Sequence, residues 1–388
     1  MCSSHVRPPA HTLRVIALTL TFILFLTACS VSPTSAPVTP SPPLLSETAT
    51  AAPTANTTPT LIIPTSTFIE ATPRAPLDVR GTFVYSAGDG SLWLQHARGG
   101  APTTLIERSK EAIAQLPSFS PDGQRVIYSA LLFLADGNLR GDIRSIDSDG
   151  KNARTLIHAT VNDVVYLYPR VAPNGRLLVT RVENLQTSEE RAQLEWWSAE
   201  TQTTQPVVRN ARDADVSHDS AHIVFVRYNV QNAETSLWLA NADGTGEKEL
   251  VRANVFDNIQ APRFSPDGRW IAFGVHGAPH QSLPLTASLG SQLTSNDACV
   301  LRVLFCIIET AHAHPAPGAL WRVNLETNKF EALTNVYDDS PLPAWSSDGS
   351  QIAIHDFTGI RLIDLARKEI YPLFLEDGGS GGFDWSDQ

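Results

Sequence analysis

The chain is poor in cysteine, in basic charge and, over its first eighty residues, in glycine. Four cysteines in 388 residues are too few to frame a disulfide-stapled miniprotein. Lys and Arg number 29 against 40 Asp and Glu, a net charge of −11, which excludes the basic surface that a nucleic-acid binder needs to neutralise phosphates. There is no acidic tract and charged residues make up only 18%, so the chain is not a solvating tail either. The N-terminal apolar run, Val15 to Leu26, falls short of the about 20 residues of an ordinary spanning helix. Every one of the 23 glycines lies at or beyond Gly81, whereas ten of the 27 prolines fall between Ser30 and Pro76. The two parts of the chain are different materials.

Arg7 and Arg14 precede the apolar run, which ends in Leu26-Thr27-Ala28-Cys29. A basic start, a short apolar stretch and small residues before a cut site form a secretory signal. The last four residues resemble the bacterial lipoprotein lipobox. That resemblance implies that residues 1–28 are removed, that Cys29 carries lipid and that the protein is extracytoplasmic, held to a bacterial cell membrane by its lipid alone. Plain secretion with cleavage elsewhere and an uncleaved anchor are the alternatives. Residues 29–77 are rich in Pro, Thr, Ser and Ala, with Glu47, Glu70 and Arg74 as the charged residues of the stretch from Ser30 to Pro76. Such a composition buries too little apolar surface to offset ordering entropy and predicts a disordered tether. In polyproline II geometry it would reach at most ~150 Å.

Beyond Gly81 one pattern recurs: Phe119-Ser-Pro-Asp-Gly123, Val171-Ala-Pro-Asn-Gly175, Val216-Ser-His-Asp-Ser220, Phe264-Ser-Pro-Asp-Gly268 and Trp345-Ser-Ser-Asp-Gly349. Each copy leads into apolar stretches such as Ile223-Val224-Phe225 and Leu237-Trp238-Leu239, then a polar turn such as Asn241-Ala-Asp-Gly244 and a last short strand. Pro presets φ, Asp accepts backbone N–H bonds and Gly supplies positive φ, so the motif is a turn. Four short strands per repeat of 40 to 52 residues, with one interval of 81, are the signature of propeller blades. Gly81 to Ile106 holds three strands of a blade without its first, and Phe383-Asp-Trp-Ser-Asp387 is a first strand with nothing after it. The expected fold is therefore all-β: a six-bladed β-propeller over residues 78–388, its four-stranded blades closed by the C-terminal strand, with an insertion at about 276–317.

The repeat resembles the PD40 (TolB-like, WD40-like) propeller repeat over about four fifths of the chain. Phe119–Gly123 and Phe264–Gly268 match it fully, and Asn174 and Ser220 depart from it. TolB carries an α/β domain before its propeller, where this chain has its tether.

Such repeats also accompany serine peptidases of the prolyl oligopeptidase type. Gly378-Gly-Ser380-Gly-Gly382 satisfies G-x-S-x-G, but no His follows and no strand-to-helix elbow frames it, so it reads as a turn. In the insertion, His276, His280, His312 and His314 stand with Glu309 as weak metal-ligand candidates, without a Cys-x-x-Cys or His-Glu-x-x-His frame. Cys299 and Cys306 would be outside the cytoplasm, where disulfides form. Their separation demands that the intervening run bend back; the expectation is a disulfide, the alternative two buried thiols. Trp93, Trp196, Trp197, Trp238 and Trp321 fall on third strands, where core packing is expected over sugar stacking.

The residues just before the apolar motif position are equivalent in every blade: Ser118, Arg170, Asp215, Arg263, Ala344 and Asp384. Arg170, Asp215, Arg263 and Asp384 bring both charges to the channel mouth. They are candidates to bind a polar or zwitterionic ligand, or to form a ring of salt bridges satisfied among themselves. The functional expectation is a monomeric binding or scaffold module for a protein, peptide or envelope polymer, with no cofactor, nucleic-acid partner or catalytic constellation. The competing expectation is a metal-dependent hydrolase or lactonase working in the channel.

Overall fold

A computed structural model describes residues 66–71, 78–134, 138–185, 187–277, 279–280, 318–335, 341–374, 379 and 381–387. The signal segment, Cys29, the tether up to residue 65 and most of the insertion, including Cys299, Cys306, His312 and His314, lie outside them. Among the described residues regular structure is entirely β.

Each motif turn joins the first two strands of an antiparallel unit. Ala112–Phe119, Arg125–Phe133, Leu139–Asp147 and Arg154–Ile157 pair in chain order. Val164–Val171, Leu177–Glu183, Arg191–Ser198 and Thr203–Arg209 repeat the arrangement. So do the units that begin at Arg212–Val216, Asn258–Phe264 and Leu342–Trp345. At the ends of the chain, Phe383–Ser386 lies antiparallel to Thr82–Ser86, which pairs with Leu92–His96 and then Thr103–Ile106. First strands of successive units contact one another in sequence, and Leu342–Trp345 touches Phe383–Ser386, which touches Ala112–Phe119. This is a β-propeller arrangement. The first two full units merge into one eight-stranded sheet through a parallel bridge between Gly141 and Val165. A Cβ at Gly141 would stand 2.8 Å from the Val165 Cβ, so only glycine permits the bridge.

Second strands read as continuous apolar runs because both of their faces are covered. In His222–Asn229, Ile223 and Phe225 pack with Leu178 and Trp196 of the preceding unit, while Val224 and Val226 pack with Ile271 and Phe273 of the following one. The two-residue period of the strand thus divides one run between two inter-sheet cores.

The motif is a hydrogen-bonded turn. Asp122 Oδ1 accepts from the Ser120 hydroxyl (2.6 Å) and the Gln124 N–H (3.1 Å), and Ser120 Oγ accepts the Arg125 N–H (3.0 Å). Ser217/Asp219, Ser265/Asp267 and Ser346/Asp348 repeat it. Ser120 and Ser217 hold the carboxyls of Asp122 and Asp219 below the ordinary carboxylate range by donating to them. Gly123, Gly175, Gly268 and Gly349 have φ of 66–83°, and Ser220 takes the same conformation at 59°. Ser220→Gly should therefore raise stability by about 0.5 kcal/mol, relief of left-handed strain being partly offset by a freer unfolded chain. Urea midpoints check this.

A second irregularity recurs in the first strands. Leu116, Tyr168, Asp213, Ala261 and Gly382, each two residues before the equivalent channel position, all have positive φ. Register shifts accompany the first four, as expected of bulges that turn a strand and re-aim its side chains.

Composition assigns Ser66–Ala71 to the tether, but Ile69–Glu70 pairs parallel to Glu369–Phe374 as a fifth, edge strand. Phe68 is 4% exposed among Leu320, Leu333, Ile354 and Ile370. Burying one phenylalanine, worth about 2–3 kcal/mol, sets these six residues apart from their Pro- and Thr-rich surroundings.

Candidate functional site

Five of the six equivalent residues lie two positions beyond a residue of positive φ. Ser118, Arg170, Asp215, Arg263, Ala344 and Asp384 all line one cavity of about 300 Å³, with the motif turns around its rim. The equivalence read from the repeat is thus a spatial one.

Their charges are partly spent on holding neighbouring sheets together. Asp384 Oδ2 accepts the Phe119 N–H at 2.8 Å and stands 3.4 Å from Arg170 Nη1. Asp215 Oδ2 accepts the Phe264 N–H at 2.8 Å, and Asp213 Oδ2 accepts the Ala261 N–H at 2.5 Å. In each case a carboxylate on one first strand caps an N–H of the next unit. Arg263 Nη1 donates to the Pro262 carbonyl (2.7 Å) and lies 3.7 Å from Asp213 Oδ1. Two ion pairs, Arg170–Asp384 and Arg263–Asp213, thus stand among the cavity-lining residues, while Asp213, Asp215 and Asp384 each give an oxygen to a backbone N–H.

Burial pushes the Asp213 and Asp215 carboxyls up to about 6, against the opposing pull of their backbone N–H donors and of Arg170; Asp384 adds to the rise at Asp215. In the unfolded chain such a carboxyl titrates near 3.8, so the folded state takes up protons first as pH falls. Stability from this source is complete below about 4 and is lost as pH rises through about 6, by up to about 3 kcal/mol for Asp213. Denaturation midpoints should rise on going from pH 7.5 to 4.5. Asp213→Asn, which tolerates the positive φ, should flatten roughly half of that rise.

The other candidates from the sequence are dispersed. His280 Nε2 lies 2.9 Å from Asp257 Oδ1, and His276 ends the strand Trp270–His276. Among the described residues no three metal-ligating side chains converge. Gly378 and Ser380 of the G-x-S-x-G match lie outside the described residues. Trp196 and Trp321 are core residues, while Trp93, Trp197 and Trp238 are half-buried; Arg227 lies over the Trp238 ring at 4.2 Å. Sequence reasoning missed Arg212, Gln260 and the bulged positions. Pro117, Pro169, Pro262 and Pro343 precede the channel residue in four of the repeats, but they do not track the bulges, since Leu342–Trp345 has no register shift and Asp213 is followed by alanine.

No protein-family model matches the chain, and no curated protein matches it in sequence. Among solved structures it is similar to TolB from Acinetobacter baumannii, at 14% identity over 81% of this chain and 68% of that one, with a TM-score of 0.55. It is also similar to a chain of the nidogen/laminin complex, at 9% identity over 78% of this chain and 97% of that one, with a TM-score of 0.54. At these identities the likeness is one of fold: the chain shares the β-propeller architecture of TolB and of the nidogen/laminin complex chain.

Proposed function

We propose that this chain is an extracytoplasmic propeller of six blades, lipid-anchored at Cys29, that binds a protein, peptide or envelope polymer at the mouth of its channel. The observation that carries the reading is the convergence of Arg170, Asp215, Arg263 and Asp384 on one cavity. Small neutral residues, Ser118 and Ala344, stand between them and leave room for a ligand. Open concavities with a few convergent polar groups are where ligands bind. The nidogen/laminin likeness supports a protein partner by analogy of fold alone. A binding module is favoured over an enzyme because Asp213, Asp215 and Asp384 each engage a backbone N–H of the next sheet, an arrangement suited to holding a shape.

Chemical cross-linking of intact cells followed by mass spectrometry tests the reading. Cross-links from a partner should map to the motif turns that rim the cavity. Cross-links confined to other faces would overturn the site. The mature N-terminus, read by the same instrument, should be a lipidated Cys29; an unmodified chain starting elsewhere would overturn the anchor.

A further inference from the structure

Further along the first strands lies a smaller cavity of about 60 Å³ that shares Arg170 and Arg263 with the mouth. Four of the bulged residues with non-glycine side chains, Leu116, Tyr168, Asp213 and Ala261, line it together with Gly382. Left-handed backbone in four L-residues is costly, about 1–3 kcal/mol each, and such strain collects where geometry is put to use.

The hydrogen-bonding balance of this inner cavity is uneven. Arg263 Nε and Gln260 Nε2 are both buried without a partner, and both are donors. Arg170 stands 3.4 Å from Asp384, longer than the about 2.7–2.9 Å of a full charge-assisted bond, and its charge also acts on Asp213 and Asp215. Arg263 lies farther still from Asp213, at 3.7 Å. Arg212 is engaged over the Tyr228 ring at 4.0 Å, with Glu190 at 3.5 Å. Asp213, the one acid among the described residues that line the inner cavity, already gives an oxygen to the Ala261 N–H. The groups facing this space therefore call for an acceptor. The mouth above it is the reverse: Asp215, Asp384 and Asp387 line it beside the two shared arginines.

We infer that the inner cavity receives a carboxylate, the free C-terminal or α-carboxylate of a peptide or amino acid, bound between Arg170 and Arg263 with its amine-bearing part in the acidic mouth. The inference rests on the reading of the mouth as the binding site. A planar two-oxygen acceptor matches a pair of guanidinium groups and suits the small volume. A phosphate would bring a second negative charge up against Asp213, Asp215 and Asp384. The ammonium or N–H groups of the same ligand answer the carboxylate oxygens that the mouth acids leave free, so one molecule satisfies both signs in one orientation. Binding would also raise the proton affinity of the already perturbed Asp213, which would then donate to the incoming carboxylate.

Calorimetric titration of the purified full-length protein with L-alanyl-L-alanine and with its C-terminal amide tests this. Saturable binding of the dipeptide is expected, with the amide at least about tenfold weaker. Arg263→Gln should weaken the dipeptide about tenfold and leave the amide unchanged, and Arg263→Lys should fall between, since it keeps charge but not the fork. Absence of saturable dipeptide binding at millimolar concentration would overturn the inference, as would equal affinity for acid and amide or an equal loss of both in Arg263→Gln. Should Arg263→Gln fail to fold, the acid–amide comparison on the unaltered protein and Arg263→Lys decide. Partner cross-links at the rim without dipeptide binding would overturn this inference alone; cross-links confined to other faces would overturn the mouth itself.

Discussion

Removal of Phe383 to Gln388 is expected to abolish cooperative folding of the propeller. These residues lie far from Thr82–Ser86 in sequence, yet they supply the first strand of the sheet that Thr82–Ser86 continues. Phe383 is 2% exposed and Trp385 is 8% exposed. The Phe83 ring stacks on Phe383 at 5.6 Å and meets Trp385 at 5.2 Å, and Trp385 Nε1 donates to the Arg80 carbonyl at 2.9 Å. Truncating one buried aromatic costs about 3–5 kcal/mol, and two such losses consume most of the ~5–15 kcal/mol that a folded domain holds in reserve. The exposed edge of Thr82–Ser86 would then be open to pairing with other chains. A single atom tests the same closure. A Cβ at Gly382, where φ is +125°, would stand 2.5 Å from Leu116 Cα and 2.8 Å from Pro117 Cδ. Gly382→Ala should therefore force the closing strand away from its neighbour and lower the urea midpoint severely. A midpoint unchanged in both variants would show that the closing strand is dispensable.

Asp384→Ala is expected to cost about 3 kcal/mol, far more than an ordinary surface substitution. It removes the acceptor of the Phe119 N–H and the counter-ion of Arg170, whose side chain is 9% exposed. A buried charge that loses a partner makes such breaks expensive, more than the worth of the pair itself; the remaining pull of Asp213 and Asp215 on Arg170 keeps the cost at the lower end. The double variant Asp384→Ala/Arg170→Met should thus recover at least about 1 kcal/mol relative to the sum of the single changes, as residues in one network do. Additive losses in denaturant unfolding would mean that the pair is not coupled. The recovered variant would be stable and still lack two of the five charged groups of the mouth, which separates ligand binding from folding.

The propeller was legible because its turns use chemistry that has few substitutes. Pro, Asp and Gly at fixed offsets mark the turns at Phe119 and Phe264 in full and the others in part, and even the degraded copy at Ser220 keeps its Ser217–Asp219 bond and its positive φ. The channel positions were legible for the same reason: a residue at a fixed step from the turn in a repeated strand falls at an equivalent place. The bulges were not, because Leu116, Tyr168 and Ala261 carry no glycine to announce left-handed backbone, and tertiary contacts such as Leu116 N–H to the Gly381 carbonyl hold them there. Nor was the edge strand at Ile69–Glu70, where one phenylalanine and its pocket outweigh the composition around it. The unpartnered donors at Arg263 and Gln260 depend on distances between different sheets, which no local pattern encodes.

The charged mouth of the channel is proposed as the face that engages a partner. A photo-cross-linking residue placed at His218 or at Ser347, two exposed positions that line the mouth cavity, tests it most directly. Lys151, on an exposed turn between a third and a fourth strand, serves as the control. Irradiation of cells should yield the same discrete adduct from positions 218 and 347 and none from 151. Adducts from 151 with none from either mouth position would show that the partner engages another face.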